Sequence, residues 1–244
     1  MYIKPVIICI ITAILASNVF ANGASDKESP IDTIISNHIK AHGGIENWEK
    51  VTALELYGQY TSFSVKHNFY TLKKADGTFY GEYNLGHHRV TEVFNGTEHW
   101  SLNPWYETDD PIPMNDAEKN VIRQKAMFFS PFFPAHNHLP EIRLTDKTVL
   151  DGHELIVLLV QFPEMPAETW YLDAATYLPY KYESQWTDFS RPAPSETYFD
   201  DYREIDGLVL PFFHEQTYGT RHTITQVDSI RVNPPFDPEL FNKP

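Results

Sequence analysis

The 11 histidines of this chain are the side chains best suited to hold a metal ion, yet most are not spaced to act together. His87 and His88 are neighbours in a stretch that reads as a strand, so they leave it on opposite faces and cannot chelate one ion. His136 and His138, in the sequence HNH, would share a face of an extended loop, and His99 or His153 could complete such a site. A polar loop beside a proline-rich turn explains HNH equally well, and no HExxH or comparable spacing is present.

The acids are no more organised. Asp109-Asp110 and Asp200-Asp201 are adjacent pairs, whereas a catalytic dyad needs carboxylates that converge across space. Asp109-Asp110 reads as the start of a turn before Pro111, and Asp200-Asp201 as the flank of a strand. There is no GxSxG elbow and no glycine-rich phosphate loop. Asn95-Gly96-Thr97 fits a glycosylation acceptor, but a hairpin turn accounts for it fully. Cys9 is the one cysteine, so beyond it the chain has no thiolate ligand, no nucleophilic thiol and no disulfide. No cofactor and no catalytic residue is expected.

The aromatic residues carry the strongest remaining signal. Trp100, Trp105, Tyr106, Phe128, Phe129, Phe132, Phe133, Trp170, Trp186 and Phe212 gather around a second helix and the central strands, as candidate lining of a hydrophobic cavity and its flap. The same residues would serve as the ordinary core of a β protein. MFFSPFFP favours a ligand: four phenylalanines around a proline break read as a mobile apolar flap, and exposed patches of that kind mark binding surfaces.

Two kinds of element must position these residues. Ser29-Pro30-Ile31-Asp32 has the pattern of a capped helix start. Ile31, Ile34, Ile35, His38, Ile39 and His42 then recur at helical spacing, and Gly43-Gly44 ends the run. IENWEK is a further short helical turn. From Leu54 onward the period becomes alternating, with turns at Asp76-Gly77, Asn95-Gly96, Asp151-Gly152 and Asp206-Gly207. The spacing predicts about ten to twelve strands in a meander, interrupted by the proline-rich PWYETDDPIPMN. A second helix, DAEKNVIRQKAMFF, is capped by Asn115, with Ala117, Val121, Ile122 and Phe128 facing inward.

The last hairpin is apolar on both sides. Leu208, Leu210 and Phe212 share one face, and Val209, Pro211 and Phe213 the other, where an ordinary antiparallel strand would alternate with polar residues. A long twisted sheet curls, and two helices are too few to cover both of its faces. They would plug the concave side and leave apolar space beneath.

The first 21 residues read as a signal peptide: Lys4, an apolar run from Val6 to Ala16, and Val19-Phe20-Ala21 before the cut. The run is short for a membrane span, and Cys9 lies inside it, where it cannot be the lipidated residue. The chain carries 19 basic and 33 acidic residues, a net charge of −14, and losing Lys4 takes it to −15. That balance excludes nucleic acid as a partner and excludes a purely electrostatic grip on anionic lipid.

Several stretches resemble the LolA-like periplasmic proteins, the outer-membrane lipoprotein-carrier superfamily. AHGGIENWEKVTALELYGQY is similar to their opening helix, Gly-Gly stop and first strand. FNGTEHWSLNP resembles a strand–turn–strand of theirs, and ETWYLDAATYLPYKYE their strands around an Asp-x-x-Thr turn. DYREIDGLVLPFFHEQ and VNPPFDPELFNKP look like the last strands and tail. The resemblance implies an unclosed β half-barrel with a helical lid, whose apolar cavity holds acyl chains in some members. The carriers' lid arginine has three possible counterparts, Arg89, Arg123 and Arg143, and is assigned to none.

The expectation is a mainly β protein with a few helices: a signal peptide over 1–21, then one half-barrel domain over 22–244. It would be a soluble, non-enzymatic protein of the periplasm without a lipid anchor or membrane span, and it would bind a lipid or lipoprotein acyl chain non-covalently. Each buried methylene contributes about 0.8 kcal/mol, so a fifteen-carbon chain would supply roughly 12 kcal/mol before ordering costs. The alternatives are an envelope protein-binding module without a lipid, or a metal-assisted hydrolase using the histidines.

Overall fold

The computed structural model describes residues 29–62, 64–128, 130–133, 140–163, 165–188 and 191–244. The expected signal peptide, the HNH histidines and Phe129 lie outside them.

One antiparallel sheet of thirteen strands dominates the described residues, unclosed and curled. Strands β1 (Ala53–Ser62), β2 (Val65–Lys74), β3 (Phe79–Leu85), β4 (His88–Phe94), β5 (His99–Leu102) and β6 (Ile112–Pro113) step outward to one edge. Strands β7 (Glu141–Leu150), β8 (His153–Gln161), β9 (Glu168–Asp173), β10 (Pro179–Asp188), β11 (Arg191–Ile205), β12 (Leu208–Tyr218) and β13 (Arg221–Val232) return from the other edge. The two halves meet where β1 pairs with β13, so the first and last strands form the middle of the sheet.

The meander follows from turn chemistry. Asp151-Gly152 and Asp206-Gly207 both take positive φ, at 50° and 86° and at 50° and 80°, the geometry of a two-residue hairpin. At the β4–β5 turn Asn95 Oδ1 accepts from the Thr97 and Glu98 backbone N–H groups at 3.1 and 2.9 Å, and the Asn95 N–H donates to the Glu98 carbonyl at 3.2 Å. The Asp-x-x-Thr turn closes the same way: Asp173 Oδ1 accepts from the Ala175 and Thr176 N–H groups at 3.0 and 2.8 Å.

Three α-helices lie among the described residues: α1 (Pro30–Ala41), α2 (Ile45–Trp48) and α3 (Asp116–Ala126). Ser29 with Asp32, and Asn115 with Glu118, form reciprocal capping boxes. At the α1–α2 corner Gly43 has φ +105°, and a Cβ there would fall 2.0 Å from the Gly207 carbonyl oxygen. Only glycine allows the corner to press that closely on the β11–β12 turn.

Two stretches differ from the pattern read in the sequence. PWYETDDPIPMN contains β6, a two-residue edge strand, and an edge tolerates proline because its outer N–H has no ladder to join. Strand β11 begins at Arg191, despite Pro192 and Pro194. Its ladder to β12 starts only at Ser195–Tyr218, so both prolines sit where β11 overhangs its neighbour.

The apolar hairpin is covered by the chain itself. Leu208, Leu210 and Phe212 pack with Trp48, Leu54, Leu56, Phe128 and Phe133 beneath the helices. Near its start, β12 turns its free edge to the α1–α2 corner, where the Val209 N–H donates to the His42 carbonyl at 3.1 Å. The outer face of β1–β5 has its own cover, the C-terminal turn Pro238–Phe241, with Phe241 packed on Ala53, Leu72, Tyr80, Val93 and Trp100.

Candidate functional site

Register decides which side chains look toward the helices. On that inner face, Leu54 and Leu56 of β1, Phe212 of β12, Trp170 of β9 and Leu158 of β8 form an apolar wall. The wall is closed by the helices together with the segment that follows α3. Met127, Phe128, Ser130, Phe132 and Phe133 are all buried. This is a plug and not the exposed patch that MFFSPFFP implies. Without a helical period, its rings turn to both sides. Phe133 stacks on Trp48 at 4.3 Å between centroids, and Phe128 lies 6.0 Å from Trp48. Phe132 points the other way and meets Trp170 edge-on at 5.7 Å, and Trp170 stacks on Tyr182 at 4.6 Å.

Five of the ten predicted lining residues are thus brought together: Phe128, Phe132, Phe133, Trp170 and Phe212. Trp100 is buried on the opposite, outer face, against the C-terminal turn. Trp105 and Tyr106 are exposed at the end of the sheet, with Trp105 4.7 Å from the His88 ring. Trp186 is half-buried at the rim, 6.0 Å from Tyr218. Phe129 is not described.

Two buried histidines tie the first helix down, one to the plug and one to β12. His38 Nδ1–H donates to the Tyr177 carbonyl at 2.8 Å, which leaves Nε2 to accept from the Ser130 hydroxyl at 2.8 Å. The Ser130 oxygen in turn accepts from the Phe132 N–H at 3.1 Å. One turn on, His42 Nδ1–H donates to the Val209 carbonyl at 2.6 Å, while its Nε2 has no hydrogen-bond partner among the described residues. The rings lie 4.6 Å apart and both are fully buried. Burial pulls His42 down to about 4; burial, with His42 adding to it, pulls His38 well below the usual range. Both are neutral at pH 7. The sequence placed them on the apolar stripe of α1 but assigned them no role, and their helical spacing among isoleucines was the available signal.

A buried acid stands on the same wall. Glu168 Oε2 accepts from the Trp170 indole N–H at 2.8 Å, while Oε1 has no partner among the described residues. Burial pushes the carboxyl up to about 7. A raised carboxylate pKa favours the fold at low pH and loses that contribution as pH rises through 7. Glu168→Gln keeps the acceptor for Trp170 and removes the charge. We expect it to raise stability by about 2 kcal/mol at pH 8 and to change little at pH 5, read from urea unfolding at both pH values.

The other candidate chemistry does not assemble. No three His, Cys, Asp or Glu side chains among the described residues are grouped to hold a metal. Asp201 takes φ +53° within β11, and its carboxylate pairs with Arg203 at 2.5 Å instead of facing Asp200. No helix among the described residues is long and apolar enough to cross a membrane.

No protein-family model matches the chain, and no curated protein matches its sequence. Solved structures do match the fold. A LolA superfamily protein from Nitrosomonas europaea superposes with a TM-score of 0.56 at 10% identity, over 86% of this chain and 96% of that one. A domain from Vibrio parahaemolyticus named for outer-membrane lipoprotein sorting gives 0.54 at 11% identity, over 86% and 95%. A DUF1329 family protein from Desulfovibrio piger gives 0.55 at 11% identity, over 88% and 98%. The architecture is therefore LolA-like: a half-barrel whose inner face is covered by helices and a plug.

Proposed function

We propose that this chain is an exported, periplasmic binding protein that holds an apolar ligand, a lipid or the acyl chains of a lipoprotein, in its half-barrel without chemical change. One observation carries the reading: beside the helices, a part of the apolar inner wall is closed by an irregular segment of separate rings. A helix leaves a wall only by breaking its own hydrogen-bond ladder or moving whole. A plug of Phe128, Phe132 and Phe133 can withdraw ring by ring, and a hydrocarbon chain offers the same wall equivalent contacts. The name of the Vibrio domain, which refers to lipoprotein sorting, supports the same class of ligand.

Native mass spectrometry on protein purified from its own envelope under mild conditions tests this directly. Bound species of several hundred daltons that extract into organic solvent are expected. Protein that is always empty and takes up nothing from liposomes overturns the reading.

The exposed edge favours a second role, docking of an envelope protein. Strand β7 is a sheet edge ten residues long, and eight of those residues are exposed. Such an edge presents a row of backbone groups that a partner strand can take up.

A further inference from the structure

The inner wall holds an acid that no cation among the described residues balances. Glu168 stands on β9 opposite Val160 of β8, and both are buried. The Trp170 indole N–H holds its Oε2 at 2.8 Å, and Trp170 is itself fixed by stacking on Tyr182 at 4.6 Å. Oε1 has no hydrogen-bond partner among the described residues. The lysines beside the plug are engaged elsewhere, Lys73 with the Met127 carbonyl at 3.1 Å and Lys125 with Glu92. From Glu168 the wall continues as an apolar track, Trp170 and Leu172 along β9 and Leu158 and Ile156 along β8. Met127 and Phe132 of the plug pack on that track, Phe132 meeting Trp170 at 5.7 Å.

A carboxyl fixed at one oxygen and free at the other, at the head of an apolar track, sorts hydrocarbon chains by their polar ends. A plain hydrocarbon that displaces Phe132 can lie on the track, but it leaves Oε1 bare. A fatty carboxylate sets a second negative charge against Glu168. An alcohol offers one neutral hydrogen bond. An ammonium donates to Oε1 and neutralises the acid as well, and such a charge-assisted bond is roughly twice as strong as a neutral one. The fold has already taken the carboxyl out of water, so the ligand has only its own ammonium to desolvate. The net charge of −14 also draws a cation toward the protein and slows an anion.

We infer that Glu168 is the head-group anchor of the half-barrel and that its preferred ligand is a lipid ending in a primary ammonium, with the tail in the place of Phe132 and Met127. This rests on the apolar-ligand reading above and narrows it to one class. Burial pushes the carboxyl up to about 7, and an arriving ammonium lowers it again by favouring the charged form.

The test is competition against N-phenyl-1-naphthylamine, a neutral fluorescent reporter, using hexadecylamine, hexadecanol, palmitate and butylamine at pH 8, where the carboxyl is mostly ionised and the amines are protonated. In the unaltered protein hexadecylamine should compete roughly tenfold better, or more, than either hexadecanol or palmitate, and butylamine should not compete. In Glu168→Gln, which keeps an acceptor for the Trp170 indole, the preference for the amine over the alcohol should fall to about threefold or less. Glu168→Met should behave the same way and stands in if the glutamine variant does not fold. A weaker preference in the unaltered protein, or palmitate level with the amine, overturns the anchor while leaving the half-barrel as a binder of apolar chains. A preference that survives both substitutions is attraction to the acidic surface at large and overturns it too. Displacement by butylamine overturns it as well, because the chain would then be irrelevant. If none of the three long-chain competitors displaces the reporter, the apolar-ligand reading itself fails.

Discussion

Phe133→Ala should lower the unfolding free energy by about 3–5 kcal/mol and, in the same protein, increase uptake of a neutral apolar probe. The ring is 1% exposed, stacks on Trp48 at 4.3 Å and meets the His42 ring edge-on at 5.5 Å. Removing it takes those contacts from the core and leaves a void between plug and wall. Under the proposed function the plug and the ligand compete for the same surface, so weakening the plug strengthens the ligand. Urea unfolding reads the first effect, and N-phenyl-1-naphthylamine fluorescence reads the second. Phe241→Ala is the control: it is also buried, but beneath the C-terminal turn on the outer face, so it should destabilise without raising uptake. Loss of stability with uptake no higher than in the control would mean that the plug does not guard the binding surface.

Acid should loosen the same region. A histidine that is neutral in the fold and free to protonate when unfolded makes the unfolded state bind more protons, so stability falls as pH drops below 6.5. For His42, held at about 4, the loss between pH 6.5 and 4 is about 3 kcal/mol, and His38 adds to it in the same direction. Glu168 works against them over part of that range, because its raised carboxyl gains a proton more readily folded than unfolded. The measurement is therefore cleaner in Glu168→Gln, where a loss of more than about 3 kcal/mol between pH 6.5 and 4 is expected from urea midpoints. His99 and His214, pulled by burial to about 4 and about 3, add to the loss in the same direction, so adding His42→Gln should remove only about 3 kcal/mol of it. An identical profile with and without His42→Gln in the Glu168→Gln background would show that the His42 ring is not sealed as the structure places it. Since His38 holds Ser130 of the plug, the rise in probe uptake should follow the same pH curve.

Much of the architecture was legible because it is local. The Asp-Gly hairpins, the capping boxes at Ser29 and Asn115, and the Gly43-Gly44 stop depend on residues within a few positions of one another. Period alone separated α1 and α3 from the strands. The same reasoning failed at β6 and at the start of β11, where proline argues against a strand unless one knows which side lacks a partner. That is a property of the neighbouring strand. The aromatic set was legible as a set but not as a site: parity along β5 puts Trp100 on one face of the sheet, and only the placing of the C-terminal turn over β1–β5 shows that this face is the outer one.

By itself, then, the order of residues determined a meander of strands with two capped helices and an excess of aromatic side chains, since each of these is set by short-range sterics and hydrogen bonding. Tertiary structure alone decided what those side chains do. His38 meets Ser130 across 92 positions, Lys73 meets Met127 across 54, and Glu168 is buried by β8 and β10 beside it. A histidine in a stripe, a lysine in an alternating strand and a serine between phenylalanines look unremarked on their own. Each acquires its protonation state and its role only when a distant segment takes water away from it.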